Sequence, residues 1–144
     1  MPGDPPIGWV GLFFNSLLKG LSTVWEEKIL IVDDEKMVAD ALEAIVEDEG
    51  LVESASNGRK ALEMIGEKYY AVIITDIDMP VMNGLDFYRE AVRRFPSIKE
   101  RFLFFSGGVD YELRDFFGKN GLRYLCKPAS LNGIKNAVIA VLSR

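Results

Sequence analysis

The sequence contains no histidine, a single cysteine (Cys126), and 17 basic residues against 22 acidic ones. Each scarcity closes off a class of function. Without histidine there is no Ser–His or Cys–His catalytic pair and no imidazole zinc site. One cysteine forms neither an internal disulfide nor a thiolate cluster, so a reducing compartment, the cytoplasm, is expected. Any metal must be held by oxygen, which favours a hard cation such as magnesium or calcium. A net charge of −5 argues against a grip on a phosphate backbone, so no nucleic acid partner is expected. Long apolar runs are also missing, as is a Walker-type loop, since Gly118-Lys119 is followed by Asn120 and has no upstream glycine. What is there is an ordinary globular balance, 49% hydrophobic and 27% charged, at a length of 144 residues that suits one domain.

Charge places a boundary inside that length. Residues 1–25 carry only Asp4 and Lys19, so the whole −5 belongs to residues 26–144. Within Ile7–Trp25 the apolar residues Val10, Phe13, Phe14, Leu17, Leu18, Leu21, Val24 and Trp25 recur at helical spacing. Gly11, Asn15, Lys19 and Ser22 fall opposite them, which argues against a membrane span. No basic residue precedes Lys19, which argues against a secretory signal. The expectation is an amphipathic helix or linker over residues 1–26, packing on the domain at 27–144 or across a dimer. A membrane-surface anchor and the remnant of a neighbouring domain are the weaker alternatives.

From Glu26 the pattern alternates. Lys28–Val32, Leu51–Ala55, Ala71–Thr75, Phe102–Phe105 and Leu122–Cys126 read as strands. Between and after them, Met37–Val46, a helix opening after Asn57-Gly58, Leu85–Phe95, Val109–Phe117 and Leu131–Leu142 read as helices. Gly50 is expected to stop the first helix and Ser130 to cap the last. Asn-Gly pairs at 57–58, 83–84 and 120–121 fall at joints. Five strands alternating with five helices predict an α/β fold with a parallel sheet covered on both faces.

Ligands of such a sheet bind beyond the carboxyl ends of its strands. Strand one ends in Asp33-Asp34, strand three in Asp76 with Asp78 beyond, strand four in Ser106, and strand five in Lys127-Pro128. Singly, each has an ordinary role: Asp34 a helix cap, Asp76 a loop opener, Ser106 a turn residue, Lys127 a solvated charge. Together they are less ordinary, because carboxylates meeting at one rim repel unless a cation joins them. A hard divalent ion, an ammonium, a hydroxyl and a spare carboxylate suit phosphoryl transfer, with a carboxylate as nucleophile forming an acyl phosphate.

Residues 28–142 resemble the receiver domain of two-component response regulators. The run Ile29-Leu30-Ile31-Val32-Asp33-Asp34-Glu35 is similar to that family's first strand and acidic pair. Ile73-Ile74-Thr75-Asp76-Ile77-Asp78-Met79-Pro80-Val81-Met82-Asn83-Gly84 is similar to its phosphoacceptor motif. Phe104-Phe105-Ser106-Gly107 and Tyr124-Leu125-Cys126-Lys127-Pro128 match the hydroxyl and Lys-Pro positions. The resemblance implies a flavodoxin-like, doubly wound (βα)5 fold with strand order 2-1-3-4-5, extended here by the N-terminal amphipathic helix. It implies Asp76 as phosphoacceptor, with Mg2+ held by Asp33, Asp34, Asp76 and the backbone carbonyl of Asp78. Lys127 would pair with the phosphoryl group, next to a cis bond to Pro128. Ser106 and Tyr124 would be the switch, acting on the face of the fourth helix, fifth strand and fifth helix. The phosphodonor would be a histidine kinase or phosphotransfer domain, which accords with a chain that has no histidine of its own.

Several features depart from the family pattern. Asp78 adds a carboxylate beside the site, Gly107-Gly108 loosens the loop after Ser106, and Ala129 stands where a bulky apolar residue is common. The Arg101–Gly108 stretch is closer to receivers at the C-terminal end of hybrid histidine kinases. With Arg144 as the last residue, the expectation is a single-domain regulator or a piece of such a kinase, with no enzymatic activity beyond its own phosphoryl transfer and dephosphorylation. A homodimer through the N-terminal helix or the switch face is left open, and the output partner is unassigned. Two rivals remain: a pseudo-receiver serving only as an interaction module, and a phosphatase of the haloacid-dehalogenase type. The second would place its Asp-x-Asp motif near its start, whereas Asp33-Asp34 precedes Asp76-Ile77-Asp78 here.

Overall fold

A computed structural model describes residues 27–144; the N-terminal helix expected at residues 1–26 lies outside the described residues. The strands are β1 Lys28–Val32, β2 Leu51–Ala55, β3 Val72–Thr75, β4 Phe102–Ser106 and β5 Arg123–Cys126. All pair in parallel, in the order β2-β1-β3-β4-β5. The helices are α1 Lys36–Val46, α2 Gly58–Glu67, α3 Gly84–Arg94, α4 Tyr111–Asn120 and α5 Leu131–Leu142. This is the doubly wound five-stranded α/β sheet expected from the alternation.

Strand side chains alternate between two cores because successive residues point to opposite faces. Leu30, Val32, Ile73, Phe102 and Phe104 face α2, α3 and α4, together with Phe87, Tyr88 and Phe117. Ile29, Ile31, Ile74, Leu103 and Phe105 face α1 and α5, with Leu42, Val46, Ile134 and Val138. The first core is aromatic: Phe102 sits 5.2 Å from both Phe87 and Tyr88, and Phe104 is 5.0 Å from Phe117. Both faces of the central strands are dry, so β1, β3 and β4 read as unbroken apolar runs.

Helix boundaries follow local hydrogen bonds. The side chains of Asn57, Asn83 and Ser130 accept from Lys60, Asp86 and Gly133 amides and so cap α2, α3 and α5. α4 begins at Tyr111, two residues after the predicted Val109, because Asp110 caps it by accepting from the Leu113 amide. It runs past Gly118 to Asn120 and ends on Gly121 at φ 62°, the left-handed turn that glycine supplies. Gly50 does not stop α1, which ends at Val46; it abuts the start of β1 instead, where an added Cβ would lie 2.4 Å from the Glu27 carbonyl oxygen. A 3₁₀ turn at Pro96–Arg101, absent from the sequence-based expectation, joins α3 to β4. Among the described residues no helix is long and apolar enough to cross a membrane.

Candidate functional site

The carboxyl ends of β1, β3, β4 and β5 bring Asp33, Asp34, Asp76, Ser106 and Lys127 to one rim. Parallel register does this directly: Val32 lies beside Thr75, so the residues that come next leave the sheet at the same height. The Asp76 amide donates to the Val32 carbonyl at 2.9 Å, and the Asp33 amide to Ala55 at 3.1 Å, extending the ladder to the two acids.

Asp33 and Asp76 are buried, and Asp34 is exposed. Each buried carboxylate is held by one backbone amide and one ammonium. The Glu35 amide donates to Asp33 Oδ1 at 2.9 Å, and the Ile77 amide to Asp76 Oδ1 at 2.7 Å. Lys127 Nζ bridges their other oxygens, 3.1 Å from Asp33 Oδ2 and 3.2 Å from Asp76 Oδ2. Burial by itself pulls the Lys127 pKa down, but the hydrogen bonds to Asp33 and Asp76, with their charges, outweigh it and leave it above the ordinary lysine value. The residue is therefore a fixed cation at neutral pH. Its backbone amide donates to the Ser106 carbonyl at 3.0 Å, and the bond to Pro128 is cis.

Asp33, Asp34 and Asp76 each offer a carboxylate oxygen within 4.8 Å of the others. Three carboxylates and one ammonium leave an excess of two negative charges at a partly buried rim. An all-oxygen donor set with that excess fits a hard divalent cation, so the residues present suit Mg2+. Asp78 is exposed on the same loop, its Oδ2 3.5 Å from where a Cβ on Gly108 would stand, so it faces the β4–α4 loop across the site. Ser106 is buried at the end of β4. Tyr124 is half-buried and stacked on Phe117 with ring centroids 4.6 Å apart, joining β5 to α4.

Backbone positions complete the site, and side-chain reading could not find them. The Glu35 and Ile77 amides that orient the carboxylates carry no side-chain signal at all. Gly84 is the tightest example: an added Cβ would lie 1.9 Å from the Asp76 carbonyl oxygen. The first turn of α3 thus packs directly on the backbone of Asp76, and the Gly84 amide donates to Ile77 at 2.8 Å. Only the Asn83-Gly84 pair hinted at this. Between Asp76 and Gly84 the loop turns on Val81, at φ 72°, with the Met82 amide donating to the Pro80 carbonyl at 2.8 Å. This is a strained three-residue turn for a β-branched residue.

A profile of the family described as "Response regulator receiver domain" matches residues 29–139. The uncharacterized transcriptional regulatory protein YesN of Bacillus subtilis (strain 168) is 34% identical over 125 residues, 81% of this chain and 33% of YesN. The transcriptional activator protein ExaE of Pseudomonas putida is 32% identical over 120 residues, 80% of this chain and 55% of ExaE. The chain therefore spans about a third to a half of these relatives. Among solved structures, a response regulator receiver domain protein (CheY-like) from Methanospirillum hungatei JF-1 superimposes with TM-score 0.73 at 27% identity, covering 82% of this chain and 94% of that one. The signal receiver domain of a signal transduction histidine kinase from Syntrophus aciditrophicus gives 0.71 at 26% identity, covering 81% and 90%.

Proposed function

Because the chain belongs to the response regulator receiver domain family, we propose that Asp76 accepts a phosphoryl group from a phosphohistidine on a histidine kinase or phosphotransfer domain. The observation that carries this reading is the bridge made by Lys127 between Asp33 and Asp76 beside the exposed Asp34. Asp76 is the carboxylate of the three that is anchored at the centre of the sheet, with one oxygen fixed by the Ile77 amide. In the transfer, a carboxylate oxygen of Asp76 bonds to phosphorus as the phosphorus–nitrogen bond of the donor imidazole breaks.

Asp33, Asp34, Asp76 and the Asp78 backbone carbonyl would hold Mg2+, which when bound would supply a Lewis acid that neutralises charge on the phosphoryl oxygens. Lys127 then exchanges its bond to the Asp76 carboxylate for one to the new phosphoryl group, keeping Asp33 as its second partner. Ser106 donates its hydroxyl to a phosphoryl oxygen, and Tyr124 repacks against Phe117 and α4. A local change of charge is thereby passed to the face of α4, β5 and α5. Residues 27–144 form the receiver. The activity proposed for residues 27–144 is the domain's own phosphoryl transfer and dephosphorylation, in the cytoplasm, where a lone thiol stays reduced.

The test is labelling by a small-molecule phosphodonor with Mg2+, followed by intact mass. One phosphoryl group per chain, stable in acid and labile in base, is expected. Asp76→Asn removes it; labelling that survives this change sinks the assignment. Lys127→Ala is expected to impair signal output more than labelling.

A further inference from the structure

Two carboxylates account for only part of what holds the Lys127 ammonium at the rim. Asp33 and Asp76 each take one N–H of a group that has three. Gly107, alongside, presents no side chain to the lysine stem; a Cβ added there would lie 3.9 Å from the Lys127 Cβ. The remaining contact of the ammonium among the described residues is aromatic: Nζ stands over the ring of Phe105, 5.5 Å from its centre. That is within the reach at which a ring face attracts a cation.

Phe105 differs from the other two phenylalanines of β4. Phe102 and Phe104 pair with other rings in the aromatic core. Phe105 points to the opposite face, into the aliphatic core against α1 and α5, and makes no ring pair among the described residues. Strand register brings the lysine to it. Phe105 lies beside Leu125, and Lys127, two residues on, falls on the same side by alternation.

We propose that Phe105 is a positioning residue for the phosphoryl transfer, its ring fixing the Lys127 ammonium while that ammonium changes partners. This role rests on the reading of Asp76 as phosphoacceptor. In the resting site two ionic hydrogen bonds hold Nζ and the ring adds to them. As an Asp76 oxygen bonds to phosphorus and the donor's phosphorus–nitrogen bond breaks, the bond from Nζ to Asp76 passes to a phosphoryl oxygen. Asp33 and the Phe105 face are the contacts that persist through this exchange. A lysine side chain is rich in rotamers, and the ring limits those it samples while one ionic bond is weak. The contact therefore counts for more in the transition state than before it, which is the condition for a contact to speed the reaction.

Phe105→Leu and Phe105→Met both remove the ring, with different shapes left in the core. Labelling by acetyl phosphate and Mg2+ is expected to slow about two- to fivefold in each, the range of a partly desolvated cation–π contact. The same substitutions made in a Lys127→Ala protein are expected to leave its slower labelling rate unchanged, because the ring acts through the lysine. The unaltered protein supplies a reading free of phosphorylation and of mutation: in NMR spectra without Mg2+, the Lys127 ε-methylene protons are expected upfield of those of the other lysines, shielded by the ring. An equal slowing in the Lys127→Ala background assigns Phe105 to core packing and overturns the proposal. Lys127 ε protons at the ordinary lysine position overturn it as well. A labelled parent whose two variants label at the parent rate overturns this role alone, whereas a parent that takes no label overturns the phosphoacceptor reading and this role with it.

Discussion

Replacing Gly84 by alanine adds one methyl group, and the structure says where it goes. The new Cβ would stand 1.9 Å from the Asp76 carbonyl oxygen and 2.9 Å from the Ile77 Cα. Ordinary contact begins at 3.4 Å, so the two elements must part by about 1.5 Å. The Asp76 side is stiff: its amide is bonded to Val32 in the central strand, and its carbonyl accepts from the Thr75 hydroxyl at 2.8 Å. The start of α3 therefore yields, at the expense of the Gly84–Ile77 hydrogen bond and the Asn83 cap. Each of these contributes about 1 kcal/mol, and alanine's better helix propensity returns less than about 1 kcal/mol. The net loss is about 2 kcal/mol once residual crowding is included. For a domain of this size that lowers Tm by about 8 °C. Any part of the displacement that reaches Asp76 slows phosphorylation, since misplacement of a reacting group by about 1 Å costs on the order of a hundredfold. Urea denaturation gives the first number, and the rate of labelling by a small phosphodonor gives the second. Gly118→Ala is the control: nothing lies within 4 Å of its added Cβ, so stability should rise by up to about 1 kcal/mol. A Gly84→Ala protein as stable and as quickly labelled as the parent would refute the packing argument.

Other perturbations act on the same contacts. Adding MgCl2 should raise Tm, equivalent to about 2.7 kcal/mol at a hundred times the Kd, and Asp33→Asn should abolish that rise in a thermal melt. Val81→Gly should stabilise by about 1 kcal/mol in urea, because the side chain is exposed and its positive φ is strained. Glu53 accepts from the Tyr70 hydroxyl at 2.6 Å, and that bond, opposed by burial and aided by Lys68, holds its carboxyl below the usual range. A depressed carboxyl pKa stabilises the fold above the unfolded value of about 4.3 and ceases to as pH falls through the folded value. The Tm gap between the parent and Glu53→Gln should therefore be full at neutral pH and close below about pH 4.

Much of the fold is legible because both faces of the central strands are apolar and Asn-Gly pairs punctuate the turns. Ile29–Val32 and Phe102–Phe105 read as buried strands without reference to any partner. The rim acids are legible for a related reason: a polar residue that ends an apolar run must lie at the sheet's edge. Contacts between distant residues with no local pattern are not legible. Arg101 reads as one more surface cation in Ile98-Lys99-Glu100-Arg101, yet it is buried on the Tyr70 carbonyl, 31 residues away. Glu53 reads as the polar half of an edge strand, yet it organises Tyr70 and Lys68. α4 outruns the expected Phe117 because apolar spacing stops there, while the positive φ that ends the helix belongs to Gly121.

The central claim is that Asp76, among four neighbouring carboxylates, forms the acyl phosphate. Borohydride reduces an acyl phosphate on aspartate to homoserine, which peptide mass mapping then locates. After treatment with phosphodonor and Mg2+, homoserine is expected at position 76 and at no other position. Homoserine at 33, 34 or 78, or a phosphate ester on Ser106, would contradict it.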